Sequence, residues 1–291
     1  MATSRVYQSQ SGARDFDAAH FVRSSNDIKV WALAIGLLPC ALACGANTSD
    51  GASDRVTADA AGESGAAYSG TVVASMNQGK QPYTLYSQFQ TGADPSPSSG
   101  AGDAGVEASC YALQPKGSLP TGLALPTAGN ITIDRDGAPL ATLLSPSYPE
   151  ITNVSWTAGD TLGVKAAGGD VAAFAGSLQT PAMVQGLSPA FGQGAIAIAK
   201  GADLQISWTP EGKAGEFMQV QIESDADTWI FCKASDSDGS VVIGADLVAQ
   251  ISPAANPTIH MIRSITSNVS GPNATVALEG QLWLGATAII Q

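Results

Sequence analysis

Hydrophobic and polar positions alternate with a period of two along most of the chain beyond about residue 68. Leu204, Ile206 and Trp208 are separated by Gln205 and Ser207, and Met218, Val220 and Ile222 by Gln219 and Gln221. Successive side chains on a strand point to opposite faces, so such runs predict strands with one face turned to a core. The stretch 204–251 strings several together. Pro210 and Gly212 mark a turn, TWIFCKA is the next strand, Asp238-Gly239 a tight corner, VVI a further strand and ADLVAQI a short helical tail. It reads as an antiparallel β-meander.

The rest of the body follows the same grammar. TVVASM and YTLYSQFQ predict two strands, VEASCYAL a third, and AGNITIDRDGAPLATLL a hairpin about Asp136-Gly137. Strand signals recur at Leu162 and Val164, at Phe174 and at 195–199. Towards the end, Ile259, Met261 and Ile265, then Val276, Leu278, Leu282 and Leu284, lie two or four apart. Many short strands with turn signals between them predict an all-β fold, an immunoglobulin-like antiparallel β-sandwich over 68–291. SPSYPE at 145–150 is the place where that body could divide in two. Short strands and Pro-rich loops argue against a transmembrane barrel.

The first 67 residues have a different character. VWALAIGLLPCALA (30–43) is apolar throughout and follows Arg23 and Lys29. It is shorter than the roughly 20 residues a membrane-spanning helix needs but has the length of a signal-peptide apolar region. Ala41-Leu42-Ala43-Cys44 resembles the lipobox of bacterial lipoproteins, with Ala41 and Leu42 standing where that pattern prefers Leu and a small residue. The resemblance implies cleavage before Cys44 and its acylation; an ordinary secretory signal is the alternative. Several acyl chains, at about 0.8 kcal/mol per buried methylene, make such an anchor effectively permanent. Residues 1–29 are long for a basic leader and nearly neutral, which points to translation starting downstream, with Val22 the convenient place. GANTSDGASDRVTADAAGESGAAYSG has almost no large apolar residue, so 44–67 reads as a disordered tether that cannot offset its ordering entropy by burial.

Composition narrows the function. Charged residues make up 13% of the chain and the net charge is −12, with all the excess acid beyond residue 43. No basic patch offers itself to nucleic acid or to an anionic lipid surface. No cofactor is implied. Cys110 and Cys232 are the cysteines left in the body, and export to an oxidising compartment favours a disulfide between them.

WTAGDTL from Trp156, GGDVAAFAGSLQTPA, LQISWTP and the cysteine strand with its DGSVVI turn resemble a group of uncharacterised lipoproteins common in myxobacteria. The resemblance spans about 128–290, implies an exported β-sandwich and brings no activity with it. Its location would be the cell envelope at the outer membrane, or the medium if the anchor is absent.

Three features could bind something. Trp229 and Phe231 share the strand face opposite Cys232, so with the cysteine in the core they would lie outside, as a platform for a sugar ring or a partner protein. Asp225, Asp227, Asp236 and Asp238 could offer oxygen ligands to Ca²⁺, but the spacing lacks a distal Glu, and Asp134 and Asp136 repeat it in another turn. Turn chemistry explains both. His260 is the only histidine beyond the signal and lies within a strand pattern, so it reads as structural rather than as part of a triad or metal site. The expectation is a lipid-anchored, non-enzymatic envelope protein acting in adhesion, envelope structure or protein contact. A carbohydrate- or calcium-binding module is the alternative.

Overall fold

A computed structural model describes residues 68–78, 80–92, 108–113, 125–224, 228–252 and 257–291. In chain order the strands are β1 (Tyr68–Asn77), β2 (Lys80–Thr91), β3 (Ser109–Leu113), β4 (Ile131–Arg135), β5 (Ala138–Leu143), β6 (Ile151–Val154), β7 (Thr161–Ala166) and β8 (Phe174–Gln179). They continue as β9 (Gln185–Ser188), β10 (Ile196–Ile198), β11 (Leu204–Thr209), β12 (Glu216–Glu223), β13 (Trp229–Ser235), β14 (Ser240–Ile243), β15 (Thr258–Ser270) and β16 (Ala274–Ile290). A 3-10 turn, Asp236–Asp238, follows β13, and the helical tail is one turn, α1 (Ala245–Val248).

The strands form three sheets. The largest has nine, in the order β3-β13-β12-β15-β16-β1-β2-β6, with β10 joined alongside the end of β16. The others are β14-β11-β9 and β5-β4-β7-β8. β16 shows why the large sheet forms: Ala274, Val276, Leu278 and Leu282 alternate with half-buried polar or small residues and lie fully inside. Each such Leu contributes roughly 1.5–3 kcal/mol by leaving water.

The four-stranded sheet packs on the β15–β16 side of this face. Gly176 of β8 sits against Val269 and Leu278, where a Cβ would collide with both. At Gly280 the approach is closer still, since a Cβ would overlap the Gln179 carbonyl. Phe89 of β2 meets Tyr148 at 5.5 Å and Phe174 at 6.4 Å between ring centres, and Tyr148 is the residue of the 145–150 turn that enters the core. Its hydroxyl accepts from the Ala128 N–H and donates to the Gly129 carbonyl.

The predicted meander is divided between sheets. β11 pairs with β14 and β9, whereas β12 pairs with β13 and β15. The Pro210–Gly212 turn therefore carries the chain from one sheet to another instead of closing a hairpin. Period-2 alternation gives a strand's face but not its neighbour, which is why the sequence reads this segment as one sheet. β1 and β10 both run parallel to β16, so the first strand of the body lies beside the last. Sheets of mostly antiparallel strands packed over one core are the immunoglobulin-like sandwich architecture that the strand pattern predicts; the two parallel pairs are additions to it.

Candidate functional site

The predicted disulfide is present. Cys110 and Cys232 stand directly opposite each other on β3 and β13, with Cα atoms 4.1 Å apart, and tie an edge strand to the sheet. Cys232 is buried on the core side. Trp229 and Phe231 consequently lie on the outer face, the face turned away from the two smaller sheets. Cys44, Asp225 and Asp227 lie outside the described residues.

Asp236 and Asp238 have structural work. Asp238 accepts from the Ser235 N–H at 3.1 Å, closing the 3-10 turn. Asp236 is buried beside Arg263, whose guanidinium is also buried and donates to Asp236 Oδ1 from Nη2 at 2.9 Å and from Nε at 3.1 Å. Asp236 Oδ2 accepts from the Glu211 N–H at 2.6 Å. Arg263 also donates to the carbonyls of Thr209, Ala182 and Met183, so its remaining donors are answered by the loops beneath. Among the described residues, no three His, Cys, Asp or Glu side chains are grouped as a metal would require.

Two glutamates complete this cluster. Burial pushes Glu211 up, but hydrogen bonds from Lys213, Glu216 and the Ala182 N–H outweigh it and hold the carboxyl below its usual range. Glu216 is pushed up to about 7 by burial, by its hydrogen bond with Glu211 and by the charges of Glu211 and Asp236, against the pull of Arg263. The ion pair ties the start of β12, the centre of β15 and the turn after β13 to the loops of the small sheet.

The outer face is built differently. Strand registers align its side chains in rows across the sheet. Tyr111, Phe231, Gln221, His260 and Gly285 form one; Lys233, Gln219, Ile262, Trp283 and Asn77 form the next. Phe231 lies between Tyr111, at 5.9 Å, and Trp229, at 6.3 Å, with both neighbouring ring planes within 21° of its own. Phe231 is buried, while Tyr111 and Trp229 are half-buried. Beside them, the carboxamides of Gln219 and Gln221 are half-buried and make no hydrogen bond among the described residues. Further along, the Trp283 indole donates to Gln281, and Gln281 donates to Glu279.

Burial sets the charges on this face. It raises the Tyr86 hydroxyl and the Tyr111 hydroxyl and lowers Lys233, whose ammonium rests 4.0 Å over the Phe217 ring. It raises Glu279 against the opposing effect of Gln281, Ser264 and Lys233. His260, edge-on to Trp283, is pushed down to about 4 and is neutral at physiological pH. The face is thus aromatic and amide-bearing, with Lys233 and the exposed Glu223 at its edges. Sequence reasoning found Trp229 and Phe231 but missed Tyr111, Gln219, Gln221 and Trp283. Gln219 and Gln221 carried a signal, since they alternate with the core residues Met218, Val220 and Ile222.

No protein-family model matches the chain, and comparison with curated proteins finds no match. Among solved structures, it is similar to a two-domain fibronectin type III segment of chicken tenascin, with TM-score 0.20 and 11% identity, covering 69% of this chain and 91% of that one. It is also similar to immunoglobulin domains 1–4 of Sidekick-1, with TM-score 0.18 and 13% identity over 80% of this chain and 51% of that one. Overlap this slight places neither residues nor function, and the fold rests on the strand pairing described above.

Proposed function

We propose that this chain is an exported, lipid-anchored contact module that works by binding, with the outer face of the nine-stranded sheet as its contact surface. The observation that carries the reading is the juxtaposition of the Tyr111–Phe231–Trp229 row with the carboxamides of Gln219 and Gln221. A carboxamide offers two donors and an acceptor, and half-buried amides without a partner among the described residues bind well to something that supplies one. Aromatic edges and faces beside them contribute apolar contact area. Of the ionisable groups beside the row, His260 is neutral and Lys233 is shifted towards neutrality, while Glu223, directly opposite Trp229, brings an exposed carboxylate to its end.

Two ligand classes suit this chemistry: a partner protein and a neutral glycan of the envelope. The protein reading agrees with the adhesive or structural role expected of an anchored β-sandwich. The glycan reading is favoured by the pairing of amides with aromatic rings. The anchor itself rests on the sequence around Cys44. The test is binding of the mature protein to isolated envelope material and to a panel of neutral glycans, compared with Gln219→Ala/Gln221→Ala. The reading expects binding that falls at least about tenfold in the double variant, the loss of about 1.4 kcal/mol. Equal binding by both proteins, or none by either, removes the outer face as the contact surface.

A further inference from the structure

Glu216 opens β12 with its side chain turned into the core, only 4% exposed, and neither carboxylate oxygen receives a hydrogen bond from an N–H or hydroxyl donor. Its neighbour Glu211 is well supplied. Glu211 Oε2 accepts from the Ala182 N–H at 3.1 Å and lies 3.8 Å from Arg263 Nη1, and Oε1 is paired with Lys213. The two carboxyls are within hydrogen-bonding reach of each other. Two ionised carboxylates are both acceptors and cannot bond each other; with one proton, one becomes a donor. A buried ionised carboxylate without donors would also cost several kcal/mol.

We propose that Glu216 and Glu211 share one proton, held on Glu216 and donated to Glu211, and that this proton fastens the connection between the three-stranded and nine-stranded sheets. The groups facing the pair are Lys213 from the same connection, Asp236 from the turn after β13 and Arg263 from β15; Asp238 is engaged with the Ser235 N–H. With the proton in place, Glu211 and Asp236 carry two negative charges against Arg263 and Lys213. When it leaves, a third negative charge appears inside the cluster with no new cation to meet it. The 210–215 connection then separates from the start of β12, and the contact between the sheets loosens.

The direction with pH follows from linkage. A carboxyl that holds its proton more tightly in the folded chain than in the unfolded one stabilises the fold below its unfolded value. That contribution is lost as pH rises through the folded value, about 7 here. The device is therefore closed in acid to neutral conditions and opens on the alkaline side. Glu279, the other carboxyl raised by burial, belongs to the outer face, so a difference between the wild type and a Glu216 variant isolates the pair.

The experiment is thermal unfolding of the mature chain from about pH 5.5 to about pH 8.5, with Glu216→Gln and Glu211→Gln measured alongside. Glu216→Gln supplies an N–H donor to Glu211 without a titrating proton, whereas Glu211→Gln leaves Glu216 to titrate under burial alone. The wild-type midpoint is expected to fall by about 5 °C or more across the range relative to Glu216→Gln, and by a smaller amount relative to Glu211→Gln. In parallel, the infrared carbonyl band of a protonated carboxyl, present in the wild type at the acid end, is expected to lose one group's intensity in Glu216→Gln. Parallel midpoint curves for the three proteins would overturn the proposal, as would a wild-type spectrum that matches Glu216→Gln in this band. Should Glu216→Gln not fold, the Glu211→Gln curve and the pH dependence of the wild-type band decide in the same way.

Discussion

Arg263 of β15 is paired inside the protein with Asp236 from the turn after β13, through two guanidinium nitrogens on one carboxylate oxygen. Both side chains are almost wholly shielded from water, 2% and 1% exposed. Removing one partner leaves the other charge buried, which costs about 3–5 kcal/mol, more than the pair itself contributes over an apolar replacement. Arg263→Met is therefore expected to lower stability by that amount, and Arg263→Met/Asp236→Asn to be less damaged than the single variant. Denaturant midpoints of the wild type, Arg263→Met, Asp236→Asn and the double variant check this. A double variant as unstable as the sum of two singles would show that the residues do not act as a pair.

The Cys110–Cys232 bridge closes a long loop, with a sequence separation of 122. On the chain-entropy account it contributes about 4–5 kcal/mol, chiefly by restricting the unfolded state. It also holds β3, a five-residue edge strand, against β13. Replacing both cysteines with serine is expected to lower the unfolding midpoint strongly and to release β3 first, seen as faster amide exchange at 109–113 than in the rest of the large sheet. Equal midpoints for the oxidised wild type and the double variant would refute this.

His260 gives stability a pH dependence opposite in sense to that of Glu216 over an overlapping range. Burial holds its imidazole down at about 4, whereas in the unfolded chain it takes up a proton near its ordinary value of 6.5. Stability conferred by neutral His260 is thus complete above that unfolded value and lost as pH falls towards about 4, by up to about 3 kcal/mol. Glu223 lies 4.0 Å from Nε2 but is 43% exposed, so water screens its attraction and it offsets little. His260→Gln is expected to flatten the acid limb of the stability curve between about pH 6.5 and pH 4. An unchanged acid limb would mean that other groups set it.

The anchor rests on Cys44 and has its own test. The mature chain from its native cell is expected to begin at Cys44, to carry acyl mass and to partition with membranes, and Cys44→Ala is expected to move to the soluble fraction. An unmodified, soluble wild-type chain would make the protein a secreted one and leave the outer-face reading untouched.

Much of this was legible in the chain. β12, β15 and β16 were readable because Met218, Val220 and Ile222, Ile259 and Met261, and Val276, Leu278 and Leu282 lie two or four apart and all face the core. The cysteine pair was readable from the number of cysteines in the body and the export expected of the sequence. Pairing partners were not: β11 and β12 are adjacent in sequence and lie in different sheets, and β1 and β16 are at opposite ends of the body and lie side by side. Arg263 shares its parity with Ile259 and Met261, which puts a charge on the core face of a strand and so demands a buried acid. That demand was available, but the acid, Asp236, looked like a turn residue because nothing local shows which turn will be folded inwards.

On the proposed reading, the outer face of the nine-stranded sheet meets the partner. Hydroxyl-radical footprinting of the mature protein, alone and bound to envelope material, tests it most directly. Trp229, Tyr111 and Trp283 lie half-buried on that face, Trp156 and Trp208 are buried in the core at 3% and 4% exposure, and Met183 is 40% exposed near the opposite end of Arg263. Oxidation of Trp229, Tyr111 and Trp283 is expected to fall on binding while Met183 is modified as before and the two core tryptophans stay unreactive. Protection of Met183 with the three outer-face aromatics unchanged would contradict it.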